Sequence, residues 1–356
     1  MRSYKHLWDR LISDDNIREA IILAGKNKNK RTRRHQLLRI MKKDPDRYID
    51  LARSWIVSFR SRKHKAKEIH DGVSGKLREI IVPSIAEVIV QQAVVNILKP
   101  LLMRSMYEHS YASIPYRGTH RGKRQLAKWL RSDRRNTKYC LKLDIRKFFN
   151  SIPQDKLLAS LRRVIRDDRF FKLIEVIVHT VPEGVPLGFN TSQWFANWYL
   201  TPLDHYIKGE LEIPYYIRFM DDMVLTHSNK RKLHKIRLCI RDWLAAKGLE
   251  LKANWTLFKV SSDRHSGRFI DFLGFKIYPD RVTLRRKVAL KAQRKARRIK
   301  AKPHATIYDC RQMITYLGYL RHVQCHKWFT NHIKPYIRPH NIRLTISRHD
   351  KLQAAS

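Results

Sequence analysis

The chain has 356 residues, with 75 Lys or Arg against 31 Asp or Glu, a formal charge of +44 at pH 7. Its apolar fraction of 43% excludes a disordered tail, and its length suffices for two or three domains with sizeable cores. The basic excess runs along nearly the whole sequence and calls for a polyanion to offset its self-repulsion, nucleic acid before a membrane surface. No stretch of about 18 apolar residues is expected to span a bilayer. The opening Met1 to Trp8 lacks the apolar core of a signal peptide. The four cysteines form no Cys-x-x-Cys pair, and the 17 histidines form neither a His-Glu-x-x-His helix nor a Cys/His cluster. A reduced, cytoplasmic protein without structural zinc is the expectation.

In chain order, residues 1–70 read as basic amphipathic helices, with Leu7, Leu11, Ile12 and Leu37, Leu38, Ile40, Met41 on the apolar faces. Residues 71–75 read as a turn, and 76–83 as an alternating strand ended by Pro83. Helical spacing predicts a long helix over 85–102, followed by a Gly-punctuated basic loop over 111–123. Residues 139–149 read as a buried strand running into a turn, and Ser151-Ile152-Pro153 starts the next helix. A Gly-rich loop, 184–188, feeds a helix over 192–203; such a loop lets backbone approach a base or phosphate closely. A hairpin over 215–225 follows, then a helix over 232–247 that ends at Gly248. Strands are expected at 249–252 and 269–275, an extremely basic helix at 285–302 and a mixed helical segment at 307–333.

Chemistry concentrates at Phe219-Met220-Asp221-Asp222, two adjacent carboxylates inside an apolar, β-rich run. Charges there are costly unless paired. Side chains alternate along a strand, so both acids cannot point one way in regular geometry. A tight hairpin turn presents both at its tip, beside a divalent cation. Mg²⁺ suits such a site, being held by one or two carboxylates plus substrate phosphates. Taken alone, the pair reads first as an exposed Asp-Asp turn, which is common, and Asp144, the third acid, taken singly reads first as an N-cap or turn Asp. The strand order lets Asp144 and the hairpin lie side by side in one antiparallel sheet. Three acids so placed hold two Mg²⁺ ions about 4 Å apart, the arrangement for in-line phosphoryl displacement.

These segments together resemble reverse transcriptases. Asp144 matches the family's motif A, residues 184–200 its motif B, and Phe219 to Asp222 its Tyr-x-Asp-Asp box with Phe in place of Tyr; Phe272-Leu273-Gly274 looks like the primer grip. The resemblance runs from about Lys76 to about Leu320, in the family's order and spacing. It implies an α+β right-hand polymerase: a helical extension over 1–70, fingers over 71–135, a palm with an antiparallel sheet over 136–282 (fingers insertion about 153–183), a basic helical thumb over 283–340 and a tail over 341–356. It also implies Asp144, Asp221 and Asp222 as ligands of two Mg²⁺ ions, with Mn²⁺ as a substitute. Lys76 and Arg78 match cations that clamp the incoming triphosphate, and Ile145 and the backbone amides of Lys147 and Phe148 line it. Phe149 falls at the steric gate against the ribose 2′-hydroxyl, although a ring there is equally core. Lys252 and Lys259 compete as general acid toward pyrophosphate. The 285–302 helix matches the first thumb helix, which grips an A-form duplex through phosphates and 2′-hydroxyls.

Leu187-Gly188-x-x-x-Ser192-Gln193 is similar to the motif B variant of diversity-generating retroelement enzymes, as are the opening Tyr4 to Asp9, the loop from Tyr111 to His120 and Ile270 to Phe275. The small size fits that subfamily too. The resemblance implies copying of a template RNA with errors opposite adenines, deoxynucleoside triphosphates as substrates, an RNA/DNA hybrid as product and a basic accessory protein; without an apolar span, no membrane partner is expected. Leu187, Gly188 and Gln193 would border the nascent base pair. The alternatives are another bacterial class (retron, group II intron-like or phage-defence) and a non-catalytic basic RNA-binding protein on the same fold.

Overall fold

A computed structural model describes residues 3–26, 32–60, 62, 64, 66–70, 77–263 and 265–355. Lys76 and the 71–75 turn lie outside the described residues, and so does the side chain of Arg78. The α+β expectation holds. Among the described residues, nine strands form three sheets between helices: β1 (Ala66–His70) with β2 (Leu77–Ile81); β3 (Tyr139–Asp144), β4 (Tyr215–Phe219), β5 (Asp222–His227) and β6 (Thr256–Lys259) in the order β4-β5-β3-β6; and β7 (Ile270–Phe272), β8 (Phe275–Ile277) and β9 (Val282–Leu284) in sequence order. The chain divides into two compact units, Met1–Pro115 with Lys142–Val224 and His234–Thr256, and Tyr116–Leu141 with Leu225–Leu233 and Leu257–Ser356.

In the first unit, helices Leu7–Leu11, Asp14–Gly25 and Ile49–Val57 pack on the helix Ile85–Met103. That helix starts at a reciprocal cap: Ser84 N donates to Glu87 Oε2 at 2.7 Å, and Glu87 N donates to Ser84 Oγ at 3.3 Å. It corrects the expectation that no segment has the make-up of a membrane span, since its 19 residues are long and apolar enough to cross one by length and composition. Its apolar surface is spent on the core, with Ile89, Val90, Val94, Leu98 and Leu102 fully buried. A second correction concerns residues 1–70, which are not wholly helical. Ala66–His70 is a strand, paired antiparallel with β2 from Ala66↔Ile81 to His70↔Leu77. Its residues alternate weakly, and the partner strand rather than its own propensity sets its conformation.

Residues 249–252 are not a strand either. A single antiparallel bridge joins Ile145 to Leu251, framed by Arg146 N to Glu250 O at 2.8 Å and Lys252 N to Asp144 O at 2.9 Å. The consequence is functional: this short bridge sets Lys252 beside the end of β3.

In the second unit, 269–275 is not one strand but a hairpin turning at Leu273 and Gly274, with φ of 55° and 88°. The basic helix spans Arg286–Lys300 and buries one stripe, Val288, Ala292, Ala296 and Ile299. Its Lys295 pairs with Asp309 at 2.6 Å. The 307–333 segment is two helices, Ile307–Arg321 and His326–His332. Within the segment expected as a tail, residues 341–355 belong to a helix, Pro339–Ala355. Pro339 suits a first helical position, where its missing N–H costs nothing. Ile342 anchors the helix in a cluster with Met313, Leu317 and Ile333.

Candidate active site at the acidic hairpin

Asp144 ends β3, Asp221 occupies the turn between β4 and β5, and Asp222 opens β5. The turn is two residues long, Met220-Asp221, and Met220 takes φ 59°, a left-handed conformation that costs a non-glycine residue about 1 kcal/mol. The turn breaks strand alternation, and the two acids take different neighbours. Asp221 meets Asp144, while Asp222 Oδ2 lies 3.5 Å from Lys142 Nζ. Lys142 and Asp144, two apart on β3, share one face of that strand.

Burial first, and then the charge of Asp144, push the Asp221 carboxyl up to about 7; the Lys252 ammonium works against the shift. Lys252 Nζ donates to Asp144 Oδ2 at 2.7 Å. Asp144 Oδ1 is buried and accepts from no described residue. Among the described residues, no three His, Cys, Asp or Glu side chains cluster closely enough to hold a metal by themselves. The structure thus brings together Asp144, Asp221 and Lys252, and sets Asp222 against Lys142. Two crowded carboxylates, one of them holding its proton near neutrality and the other with an unserved buried oxygen, fit a divalent cation whose remaining ligands are substrate phosphates and water.

Around this pair the backbone is drawn in tightly. Lys147 is exposed with φ 43° and leads into a short helix, Phe148–Ser151. Ile145 and the Phe148 ring are buried, so only their backbone groups are available to a ligand. Phe149 is half-buried, its ring edge-on to Phe148 with centroids 5.7 Å apart. The Phe149 carbonyl accepts from Val185 N at 2.8 Å. The 184–188 loop is clamped from both sides. A Cβ on Gly184 would meet Phe149 O at 2.3 Å, and one on Gly188 would meet Ile81 O at 2.1 Å. Ile81 N donates to Leu187 O at 2.7 Å. Leu187, half-buried, lines a cavity of about 450 Å³ with Ile81, Asn150, Thr180 and Val185. Ser192 is buried and donates to Pro186 O at 2.8 Å, while Gln193 is exposed near the start of the helix Asn190–Gly209. Gly188→Ala therefore combines a φ of 108° with a backbone collision. A loss of about 2–4 kcal/mol is expected, read as a lower denaturation midpoint.

A family model described as reverse transcriptase (RNA-dependent DNA polymerase) matches residues 62–277, more than half of the chain. The chain belongs to the reverse transcriptase family. Among curated relatives, protein YkfC of Escherichia coli K12 is 28% identical over 146 residues, covering 38% of each chain. The retron Ec73 reverse transcriptase of Escherichia coli is 29% identical over 163 residues, covering 42% of this chain and 51% of that one. The chain thus spans about 38% to 51% of the length of these two relatives. Apo telomerase from Candida tropicalis superposes with a TM-score of 0.53 at 15% identity, over 73% of this chain and 53% of that one, which shows a common fold.

Other features of this reverse transcriptase chain escaped sequence reasoning. Arg218, three residues before Asp221, is fully buried and bonded to Asp204, Asn197 and the carbonyl of Met220. A lone Arg in an apolar strand was the available signal, because such a charge demands an acid; its partner could not be chosen from the sequence. Tyr216 adds a third bond to Asp204, at 2.7 Å. In the second unit, Phe272 is buried, and Leu273-Gly274 form the turn between β7 and β8, where the Gly274 carbonyl accepts from Arg285 N at 3.1 Å. Lys259, exposed in β6, also belongs to that unit, whereas Lys252 lies at the acid pair.

Proposed function

We propose that this chain is an RNA-directed DNA polymerase that copies a template RNA into cDNA by two-metal nucleotidyl transfer, with errors at template adenines in a diversity-generating retroelement. The observation that carries the polymerase reading is the Asp144–Asp221 pair with Lys252 at 2.7 Å, placed by β3 and the β4-β5 turn. Asp144 and Asp221, joined by Asp222, would hold the divalent cations, Mg²⁺ first and Mn²⁺ as a substitute. Bound there, they would ease ionisation of the primer 3′-hydroxyl and neutralise charge on the leaving pyrophosphate.

The chain's own groups supply the rest. The primer 3′-hydroxyl gives its proton to solvent, its oxygen attacks the α-phosphorus, a new P–O bond forms and the bond to pyrophosphate breaks. Lys252 Nζ holds the proton that the pyrophosphate oxygen takes as it leaves. Lys147 and Phe148 offer backbone amides to the triphosphate, with Ile145 behind them, and the Phe149 ring excludes a ribose 2′-hydroxyl. Lys76 and Arg78 clamp the triphosphate. Leu187, Gly188 and Gln193 border the nascent pair, Phe272-Leu273-Gly274 hold the primer end, and Arg286–Lys300 follows the RNA/DNA hybrid. A basic accessory protein assists, in the cytoplasm, for a chain that is bacterial or phage-encoded.

Leu187 supports the error-prone reading. A branched aliphatic packs loosely on a nucleotide and offers it no hydrogen bond, so misaligned pairs are penalised less. Leu187→Gln is expected to cut misincorporation opposite template adenine severalfold, read by sequencing cDNA copied from a defined RNA. An unchanged error spectrum would sink the role given to Leu187. The 29% identity to a retron enzyme favours a second reading, a reverse transcriptase of another bacterial class.

Primer extension on poly(rA)/oligo(dT) with Mg²⁺ tests the enzyme itself. Extension that disappears in Asp221→Ala supports it. No extension by wild type, even with the accessory protein supplied, leaves a basic RNA-binding protein.

A further inference from the structure

Arg218 lies on β4 with its side chain fully buried. Its Nε donates to Asp204 Oδ1 at 2.7 Å and its Nη2 to Asp204 Oδ2 at 2.6 Å, a bidentate fork. The remaining terminal nitrogen, Nη1, donates to Asn197 Oδ1 at 3.1 Å and to the carbonyl of Met220 at 3.0 Å. Asp204 and Asn197 both lie on the helix Asn190–Gly209, whose first turn follows the 184–188 loop. Asn197 is fixed in turn by donating to Ala112 O at 2.9 Å. The backbone of Arg218 is pinned too, its N–H donating to His109 O at 3.1 Å and its carbonyl accepting from Tyr111 N at 2.9 Å.

A buried ion pair is weak evidence for stability, because well-packed apolar residues of similar volume often serve as well. What an apolar pair cannot replace is the bond from Nη1 to Met220 O. That carbonyl belongs to the left-handed residue immediately before Asp221, so its orientation sets the peptide plane from which Asp221 departs.

We propose that Arg218 is a positioning residue: held by Asp204 and Asn197 on the Asn190–Gly209 helix, it grips the Met220 carbonyl and so fixes Asp221 relative to Asp144. The helix that follows the nucleotide loop and the acidic turn thereby become one rigid unit. This rests on the reading of Asp221 as a catalytic acid. Displacement of such a group by about 1 Å costs on the order of 10²-fold in rate, and the loss should fall on kcat, since neither Arg218 nor Asp204 faces a substrate.

The test is the charge-neutral double variant Arg218→Met/Asp204→Leu, which keeps the site packed while deleting the grip on Met220. Steady-state primer extension is measured against wild type and Asp221→Ala, with melting temperature and hybrid affinity as controls. The expected result is a folded protein with unchanged hybrid affinity, kcat down 10- to 100-fold, KM for the nucleotide within threefold and a raised Mg²⁺ requirement. A folded double variant with kcat within twofold of wild type overturns the proposal. Activity surviving in Asp221→Ala would instead overturn the underlying reading of the acid. Should the double variant fail to fold, Arg218→Lys decides, because it keeps a cation beside Asp204 while its single ammonium lacks the fork that also reaches Met220 O. A three- to tenfold loss of kcat at unchanged KM supports the proposal, and an unchanged kcat overturns it.

Discussion

Asp221→Ala is expected to lower the rate of primer extension by at least about a thousandfold while leaving hybrid affinity unchanged. Metal-borne stabilisation of charge in the transition state is worth several kcal/mol, and about 4 kcal/mol corresponds to a thousandfold. The same residue has a second, opposite signature in stability. Its carboxyl is raised to about 7 by burial and by Asp144, against an ordinary value near 4. The folded chain therefore holds this proton more tightly than the unfolded chain. Between about pH 4 and pH 7 the unfolded state has released it and the folded state has not, so this group's contribution falls as pH rises through that window. Asp221→Asn removes the penalty. In metal-free buffer the variant should melt with wild type near pH 4.5 and a few degrees above it at pH 8, on the order of 2 kcal/mol after allowance for solvent at a half-buried group. Mg²⁺ at pH 8 should stabilise wild type more than the variant. An equal difference at both pH values would show that the carboxyl is not crowded by its neighbour.

The acids were legible because their residue types contradict their surroundings. Asp221 and Asp222 interrupt an apolar run, Asp144 ends another, and a sheet that places β3 beside β5 brings Asp144 to Asp221. The Gly184 and Gly188 loop was legible for a similar reason, and both glycines prove to lie against backbone carbonyls. What failed depended on partners distant in sequence. Ala66–His70 owes its strand to β2, and residues 249–252 have strand-like alternation yet support one bridge. The turn at Leu273-Gly274 was signalled by the glycine but masked by apolar residues on both sides. The helix Ile85–Met103 passes for a membrane span by composition, and only its packing shows where its apolar surface goes. Arg218 and Asp204 are fourteen residues apart across a helix end and a loop; nothing local identifies one as the other's partner, although the pair holds the residue beside Asp221.

Affinity for an RNA/DNA hybrid is expected to fall by about 10³ or more between 50 and 200 mM salt. A protein that neutralises Z phosphates releases their counterions, and log K then falls with log salt at a slope of about −0.9Z, so a Z of roughly six to ten produces a loss of about 10³ to 10⁵. The chain has the charge for this, +44 with 31 acids among 356 residues. The helix Arg286–Lys300 shows how that charge is deployed. Its buried stripe of Val288, Ala292, Ala296 and Ile299 fixes which side faces the core, and Arg294, Arg298 and Lys300 are exposed. Lys295 differs, bonded at 2.6 Å to Asp309, whose carboxyl is held well below its usual range by Lys295, Lys302 and Thr306 despite its burial. The helix therefore contains two kinds of cation, and salt separates them. Replacing Arg294 and Arg298 by Gln should weaken binding by similar factors on unrelated sequences and flatten the salt slope by about 2, one for each phosphate left without its cation. Lys295→Gln should leave the slope alone and lower the melting temperature, because Asp309 is deprived of a buried partner. Fluorescence anisotropy of a labelled hybrid at three salt concentrations reads both. An unchanged slope in the Arg294/Arg298 variant would remove this helix from the duplex-binding surface, and a shallow slope in wild type would mean that the chain's charge serves another polyanion.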